Sequence, residues 1–391
     1  MKNIIFLFFI IACSTHLIGQ SHSRMLKTVT FSGTGYELGM QHGKSLKPEI
    51  AGIIAAWKKN TSAVLEKDAG VVLDEFFAYA QFDEAIKRWT PDLYDEVRGI
   101  ADGSGQAFHD VMVLNLLDEF WVYVNNLNNH HCSGVGVPAK GNRPGYISQN
   151  MDLENYTDGY QVMMRLEGND HRPEQLILTH PGLIALNGLN EQGIGVCVNT
   201  LMQLRASSTG LPVAFVIRRI LGSTNKEDLL QFIQTVPHAS GQNYLIGIKG
   251  EVFDFEASAH QVIRFNPMNE NSSVYHTNHP LVNDDVKPWF SAFNPSGSNG
   301  SKPVQDNSYF RFKAVEQRIS ENAEVSESTL MAALRSRDSQ NNPVCRSNLG
   351  NGQGYTFASV IMTMAEKPYI QVTAGPPDES EYQRFSFSEN Q

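Results

Sequence analysis

Cysteine is scarce in this chain, with four in 391 residues. Cys13, Cys132, Cys197 and Cys345 show no CxxC spacing, which argues against a disulfide scaffold, a zinc knuckle or a thioredoxin-type pair. By sequence, Cys197 and Cys345 could be bridged or could be two buried free thiols. Basic charge is in deficit too: 31 Lys and Arg stand against 41 Asp and Glu, a formal net charge of −10. A general nucleic-acid surface needs clustered basic residues and is not expected here. Beyond the first dozen residues no stretch is long and apolar enough for a membrane span. GxSxG, the elbow of many serine hydrolases, and HExxH, a zinc motif, are both missing. No internal repeat is present.

What is present begins at the N-terminus. Lys2 precedes an apolar run over 4–12, too short to cross a bilayer and of the length of a signal-peptide core. Two kinds of processing fit. Ile10-Ile11-Ala12-Cys13 resembles a bacterial lipobox, which would make Cys13 a lipid-anchored N-terminus; ordinary cleavage near Gly19-Gln20 would instead remove 1–19. Both readings place the protein outside the cytoplasm, secreted, periplasmic or held at a membrane as a lipoprotein.

Along the chain, a short strand over 26–31 runs into Gly33-Thr34-Gly35 and a helix ending its first turn at Gly39. The likeness to a dinucleotide fingerprint fails, because the third glycine comes one place late and no regular βαβ pattern follows; a close-packed turn is the better reading. The stretch 49–126 reads as helical, with Ile50, Ile53, Ile54 and Trp57 on one face and Leu73, Phe76 and Phe77 repeating the pattern. Pro91 opens a helix that Gly103 and Gly105 end, and a further apolar helix runs through Val111, Leu114, Leu117 and Trp121. The aromatics from Phe120 to Tyr123 serve either core packing or a substrate pocket.

An Asn-rich loop over 125–129 then changes the character of the chain. Strands are expected at 135–137, 146–148, 161–166, 176–179 and 193–199, with turns at 141–145 and at Asn187-Gly188. Helices over 212–221 and from a capping box at Thr224 to 236 interrupt them. Strands at 244–248, 252–256 and 261–265 follow, then a long polar loop over 283–307, helices at 308–319 and 329–334, and strands at 357–364 and 369–373. This alternation points to packed β-layers flanked by helices.

The residue that stands out chemically is Cys132, in His130-His131-Cys132-Ser133-Gly134. A thiol of pKa about 8.5 is little ionised at neutral pH, so an attacking cysteine needs a base beside it. Cutting the His131–Cys132 bond would create an α-amine of pKa about 7.7–8.0, suited to that task. Taken alone, a lone cysteine after a loop is more often a small buried hydrophobe. Adjacent histidines rarely converge on one ion, so no metal site is expected.

An ordered set of motifs shifts the balance. Gly35-Tyr36-Glu37-Leu38-Gly39-Met40-Gln41-His42-Gly43, then Val97-Arg98-Gly99-Ile100-Ala101-Asp102-Gly103-Ser104-Gly105 with Leu114-Asn115, precede Cys132. Ser148-Gln149-Asn150-Met151-Asp152, Gly188-Leu189-Asn190-Glu191-Gln192-Gly193 with Val198-Asn199, His276-Thr277-Asn278-His279, Pro343-Val344-Cys345-Arg346 and Ala374-Gly375-Pro376-Pro377 follow it. In that order they resemble the acyl-CoA:6-aminopenicillanic acid acyltransferase family, autoproteolytic cysteine members of the N-terminal nucleophile (Ntn) hydrolases.

The resemblance implies an α+β, four-layer αββα Ntn fold and an autoproteolytic cut at His131–Cys132. The helical segment 20–131 and the catalytic segment 132–391 would form one domain and stay associated as a heterodimer. Cys132 would be both nucleophile and α-amine base, and Asp152 would position that amine. Asn278 would donate an amide N–H to the oxyanion, with Asn199 as a further contributor. Arg346 would orient Asp152 or bind a substrate carboxylate. At 131 the penicillin enzyme carries glycine where this chain has histidine. No cofactor and no nucleic-acid partner are implied; the partner is a small-molecule amide. The expected reaction is hydrolysis of a linear carbon–nitrogen amide bond through a Cys132 thioester. Acyl transfer to an amine, or a secreted binding protein of the same fold without catalysis, are the alternatives.

Overall fold

The computed structural model describes residues 24–125, 131–267, 272–293, 307–322, 324–338, 343–350 and 354–388. The signal-like stretch with Cys13, His130 of the histidine doublet and most of the long polar loop lie outside the described residues.

A first strand, β1 (Lys27–Phe31), leads into seven helices: α1 (Gly35–Ser45), α2 (Lys47–Leu65), α3 (Ala69–Tyr79), α4 (Asp83–Trp89), α5 (Pro91–Ser104), α6 (Phe108–Leu114) and α7 (Leu117–Tyr123). The glycines of α1 are there for proximity. A Cβ on Gly39 would lie 1.8 Å from the Glu96 carbonyl oxygen of α5, and one on Gly99 would lie 2.3 Å from that of Tyr36. Gly33 and Gly35 have positive φ, in keeping with the close-packed turn expected there, and Gly39 adds a helix-to-helix contact that was not expected. Gly105 caps α5 in the left-handed region at φ 71°. Gly103 does not end the helix as expected; it sits inside α5, where its missing Cβ admits the Met40 carbonyl. The helix expected through 111–121 is two helices. Asn115 breaks it, donating from Nδ2 to the carbonyls of Val111 and Gly182 at 2.9 Å each and accepting from the Ile184 N–H at 2.9 Å.

The remaining chain supplies most of two sheets. In order come β2 (His131–Val137), β3 (Gly145–Leu153), β4 (Val162–Leu166), β5 (Gln175–Thr179), β6 (Asn187–Asn190) and β7 (Ile194–Thr200). Helices α8 (Val213–Leu221) and α9 (Lys226–Thr235) precede β8 (Gln242–Ile248), β9 (Glu251–Ala257), β10 (Val262–Phe265) and β11 (Val274–His276). Then follow α10 (Pro288–Phe293), α11 (Asn307–Ser320), α12 (Glu327–Leu334), β12 (Tyr355–Met364), β13 (Tyr369–Val372) and β14 (Gln383–Ser386). One sheet has the order β1-β4-β5-β6-β7-β8-β9-β10, the other β11-β2-β3-β12-β13-β14. All pairings are antiparallel except β1 with β4.

Strand periodicity sorts the side chains into three apolar layers. Ile147, Leu176, Leu245 and Met362 pack between the sheets. Met164, Ile177 and Val196 face Trp57, Ile100 and Phe215 of the helices outside the first sheet. Val135, Val137 and Ile361 face Val315, Ile319 and Leu334 of α11 and α12 outside the second. The order helix, sheet, sheet, helix is the four-layer αββα arrangement. Asn187-Gly188, expected as a turn, belongs to β6: a Cβ on Gly188 would come within 2.6 Å of the Leu176 carbonyl oxygen on β5, and Asn187 donates to Gln149 at 3.1 Å. The cap of α9 is Asn225, not Thr224, its Oδ1 accepting the Asp228 N–H at 3.0 Å. Cys197 and Cys345 are both buried and free, so they are not bridged.

Candidate active site

Cys132 is the second residue of β2, paired across the ladder with Met151 of β3, while His131 stands opposite Asp152. The strand then reads Ser-Gly-Val-Gly for a physical reason. Gly134 and Gly136 share the inward face with Cys132; a Cβ on Gly136 would sit 2.6 Å from Val252 and one on Gly134 3.3 Å from the Asn199 Oδ1. The glycines let β2 press against the first sheet, and Cys132 closes that face at its end. Its Sγ lies 3.6 Å from the Met151 Sδ. Burial, reinforced by the nearby Asp152 charge, pushes the thiol well above its ordinary pKa, so a neutral thiol waits at this position.

The backbone of Cys132 is held from two sides. Its N–H donates to Asn278 Oδ1 at 2.7 Å. Its carbonyl accepts from the guanidinium of Arg311, on α11, which also donates to Ser133 Oγ at 2.9 Å and to Asn278 Oδ1 at 2.9 Å. Arg311 has no exposed surface. Two obligatory donors therefore meet one atom of Asn278, and that fixes the amide's orientation. Oδ1 faces the Cys132 nitrogen, and Nδ2 turns away to the Thr200 carbonyl at 3.1 Å. The Asn278 backbone is anchored by Ser308 Oγ at 2.7 Å.

Just upstream, His276 bridges a buried pair. Its Nε2 meets Glu256 Oε1 at 2.8 Å and its Nδ1 donates to the Thr277 carbonyl at 2.7 Å. Burial lowers the His276 pKa, but the Glu256 bond and the charges of Asp254 and Glu256 together outweigh it and raise the pKa above its ordinary value. Glu256 also accepts the N–H groups of Leu281, Val282 and Asn283, so it pins the turn that follows Asn278.

Asp152 ends β3 on the face that looks towards α11 and α12. Its Oδ1 accepts from Thr356 Oγ1 at 2.8 Å, and its buried Oδ2 has no hydrogen-bond partner among the described residues. Burial pushes the carboxyl up to about 6, against the opposing charges of Arg346 and Arg311. Thr356 links Asp152 to Arg346, since its Oγ1 accepts the Arg346 N–H at 3.0 Å. Arg346 is buried, and its Nη1 has no partner among the described residues. Asn199 lies against Gly134, two residues along the inward face from Cys132. Its Nδ2 donates to the His276 carbonyl at 3.4 Å and its Oδ1 accepts from Asn243 at 3.5 Å. The structure thus brings Cys132, Asn278, Asp152 and Arg346 to one end of β2 and β3. It sets Asn199 one step deeper, with its amide engaged elsewhere.

Sequence motifs did not point to Arg311 or Thr356. A signal for Arg311 existed: it falls with Ser308, Val315 and Ile319 on the buried stripe of α11, where a charge is out of place. Thr356 carried none, because it gains its role only from pairing opposite Asp152.

Beside the thiol is a cavity of about 60 Å³, walled by Leu117 and Trp121 of α7, Ala214 and Ile217 of α8, and the ends of β3 and β7. That is space for about four or five water-sized groups. Trp121 therefore borders the cavity, while Phe120 packs in the core against Trp57 and Phe76. Among the described residues no group of three His, Cys, Asp or Glu converges as a metal site.

With this geometry in hand, the comparisons with known proteins are specific. The family described as acyl-coenzyme A:6-aminopenicillanic acid acyl-transferase matches residues 139–379, more than half of the chain. The acyl-coenzyme A:6-aminopenicillanic-acid-acyltransferase 40 kDa form of Emericella nidulans is 26% identical over 263 residues, 65% of this chain and 70% of that protein. Two solved structures are similar at lower identity. A mutant conjugated bile acid hydrolase from Clostridium perfringens is 13% identical with a TM-score of 0.39, over 66% of this chain and 98% of that one. Penicillin V acylase from Agrobacterium tumefaciens is 12% identical with a TM-score of 0.38, over 66% of this chain and 86% of that one.

Proposed function

Because the chain belongs to the acyl-coenzyme A:6-aminopenicillanic acid acyl-transferase family, we propose that it is an autoproteolytic amide hydrolase whose nucleophile is the thiol of a newly exposed N-terminal Cys132. One observation carries this reading: the Cys132 nitrogen already rests on a fixed acceptor, Asn278 Oδ1, at 2.7 Å. An amine released there would be held where it could serve the thiol beside it.

In the cut, Cys132 Sγ attacks the His131 carbonyl carbon and the C–N bond to Cys132 breaks. The nitrogen leaves as the α-amine and His131 is left as a thioester on Cys132. Water then opens the thioester, giving a His131 carboxylate and a free thiol. Asp152 is suited to take the thiol proton at this stage, since burial holds its carboxyl near 6 and its Oδ2 is without a partner among the described residues. In turnover the α-amine takes the thiol proton, sulfur attacks the substrate amide, and the amine product leaves with that proton. Water, activated by the same amine, resolves the acyl-thioester.

The orientation of Asn278 gives its role a different emphasis from the one motifs implied. Its carbonyl grips the nucleophile's nitrogen, so oxyanion stabilisation would need a donor other than its outward-turned Nδ2, and Asn199 would have to release the His276 carbonyl to supply one. Arg346 is assigned to hold Asp152. Water is the proposed acyl acceptor because the signal-like N-terminus supports an extracytoplasmic site, where acyl-CoA is scarce. Lipidation at Cys13 belongs to the same proposal.

Denaturing electrophoresis with N-terminal mass analysis tests it. Two fragments are expected, the larger beginning at Cys132, and Cys132→Ala should stay uncut. A single chain that also fails to react at Cys132 with a thiol-directed acyl analogue would end the catalytic reading. Partition of a released acyl group between water and an added amine separates hydrolysis from transfer.

A further inference from the structure

The cavity beside Cys132 has an apolar wall and one acidic corner. Asp118 and Glu154 line it together with the Asp152 already described, and among the described residues lining it none is Lys, Arg or His. Asp118 is held in place, its Oδ2 accepting from Thr200 Oγ1 and Gln242 Nε2 at 2.8 Å each. Glu154 is held less completely. It is only 6% exposed, yet its Oε1 completes no hydrogen bond among the described residues. The indole Nε1 of Trp121, on the same cavity wall, leans towards this carboxyl and slightly favours its charged form, but it too completes no hydrogen bond among them. Burial, with Asp118 nearby, pushes the Glu154 carboxyl up to about 7.

Buried polar atoms are rarely left unmatched, and the Glu154 oxygen invites a donor that can satisfy it. Three carboxyl side chains suit a cation, because as carboxylates they offer charge-assisted acceptors. A carboxylate ligand would face only like charge here, and a purely apolar one would leave Glu154 unsatisfied.

We propose that this cavity is the acyl pocket and that it receives a short acyl chain carrying an ammonium group, docked between Asp118 and Glu154. The proposal rests on reading Cys132 as the acyl acceptor and names the substrate class of that site, a small aminoacyl amide. The cavity volume of about 60 Å³ limits the chain to roughly four or five heavy atoms.

The test is a binding measurement on the full chain, so that it does not depend on turnover. Ligand-observed NMR titrations at pH 8 compare n-butylamine, 1-butanol and propionate, three probes of equal heavy-atom count and three charge states. Butylammonium should bind about tenfold or more tightly than butanol, with propionate the weakest. Glu154→Gln should reduce the butylammonium-to-butanol ratio at least fivefold, and Asp118→Asn gives a second reading should the first variant fold poorly. Equal binding of butanol, binding of propionate as tight as butylammonium, or a preference that survives both substitutions would overturn the proposal. Absence of amide cleavage would count against the hydrolase reading alone and leave these titrations decisive for the pocket.

Discussion

Arg311 occupies a position from which no other residue could replace it. Its fork reaches the Cys132 carbonyl, the Ser133 hydroxyl and the Asn278 amide at once, and Nε is tied to Asn307 Oδ1 at 2.6 Å. A lysine has three donors on one nitrogen and cannot meet four acceptors spread around a planar fork, so Arg311→Lys is not conservative here. Each acceptor left short in a buried site costs about 1–3 kcal/mol. Arg311→Gln is therefore expected to slow self-cleavage tenfold or more, read by electrophoresis over time. In the proposed mature form, a guanidinium beside the α-amine would also disfavour its protonation, keeping it a free base to lower pH. Whatever Arg311→Gln material matures should show the acidic limb of its kcat/KM profile moved to higher pH. A merely structural residue would leave that limb in place.

This scale was the least legible from the chain alone. Cys132, Asp152, Asn278 and Arg346 could be picked from motifs, because each sits in a short run of recognisable residues. Which atom of Asn278 faces Cys132 depends on a donor 33 positions away, and no local pattern records that.

Elements were more readable, and their failures have local causes. Helical periodicity locates α2, α3 and α11 because their apolar faces repeat along a regular helix. The division between α6 and α7 escaped it because Asn115 bonds across the chain to Gly182 and Ile184, outside any helical window. Asn187-Gly188 of β6 reads as a turn because Asn-Gly has turn chemistry, while the closeness of Leu176 that calls for glycine is a tertiary fact. The contact of α1 with α5 yields a sharp expectation. A methyl at Gly39 would overlap the Glu96 carbonyl, and backbone cannot rotate aside as a side chain could. Gly39→Ala should cost about 2–3 kcal/mol or more in urea unfolding. Gly222→Ala makes the control: its backbone is in the ordinary helical region, with the nearest foreign atom 3.4 Å from the added carbon, so it should change stability by under about 0.5 kcal/mol.

At the scale of the whole molecule, the stretches before and after residue 131 form one core. β1 pairs with β4 inside the larger sheet. Glu96 of α5 meets Arg218 of α8 in a buried two-bonded pair at 2.7 and 2.8 Å. Glu119 of α7 accepts from the Val213 N–H at 3.1 Å and Ser240 Oγ at 2.6 Å. That last carboxyl sets a pH dependence. Burial, with Asp118 adding to it, raises the Glu119 pKa to about 7, and Oε2 has no partner among the described residues. A carboxyl raised in the folded state favours folding less as pH climbs from its unfolded value near 4.5 through 7, because ionising it becomes easier unfolded. Glu119→Gln keeps an acceptor for both bonds and cannot ionise. Its thermal midpoint should gain on the unaltered protein between pH 5 and pH 8, by an amount corresponding to about 1–3 kcal/mol.

The parallel pairing of β1 with β4 bears on what the proposed maturation would do to the protein as an object. If the bond before Cys132 is cut, a strand of the main sheet belongs to a different molecule from its neighbour. The native state is untouched, but the unfolded state has become two independent chains. Reassembly then depends on their meeting, so stability gains a concentration term that the precursor lacks. A protein made this way folds once as a single chain, and afterwards can be lost by dilution as well as by heat.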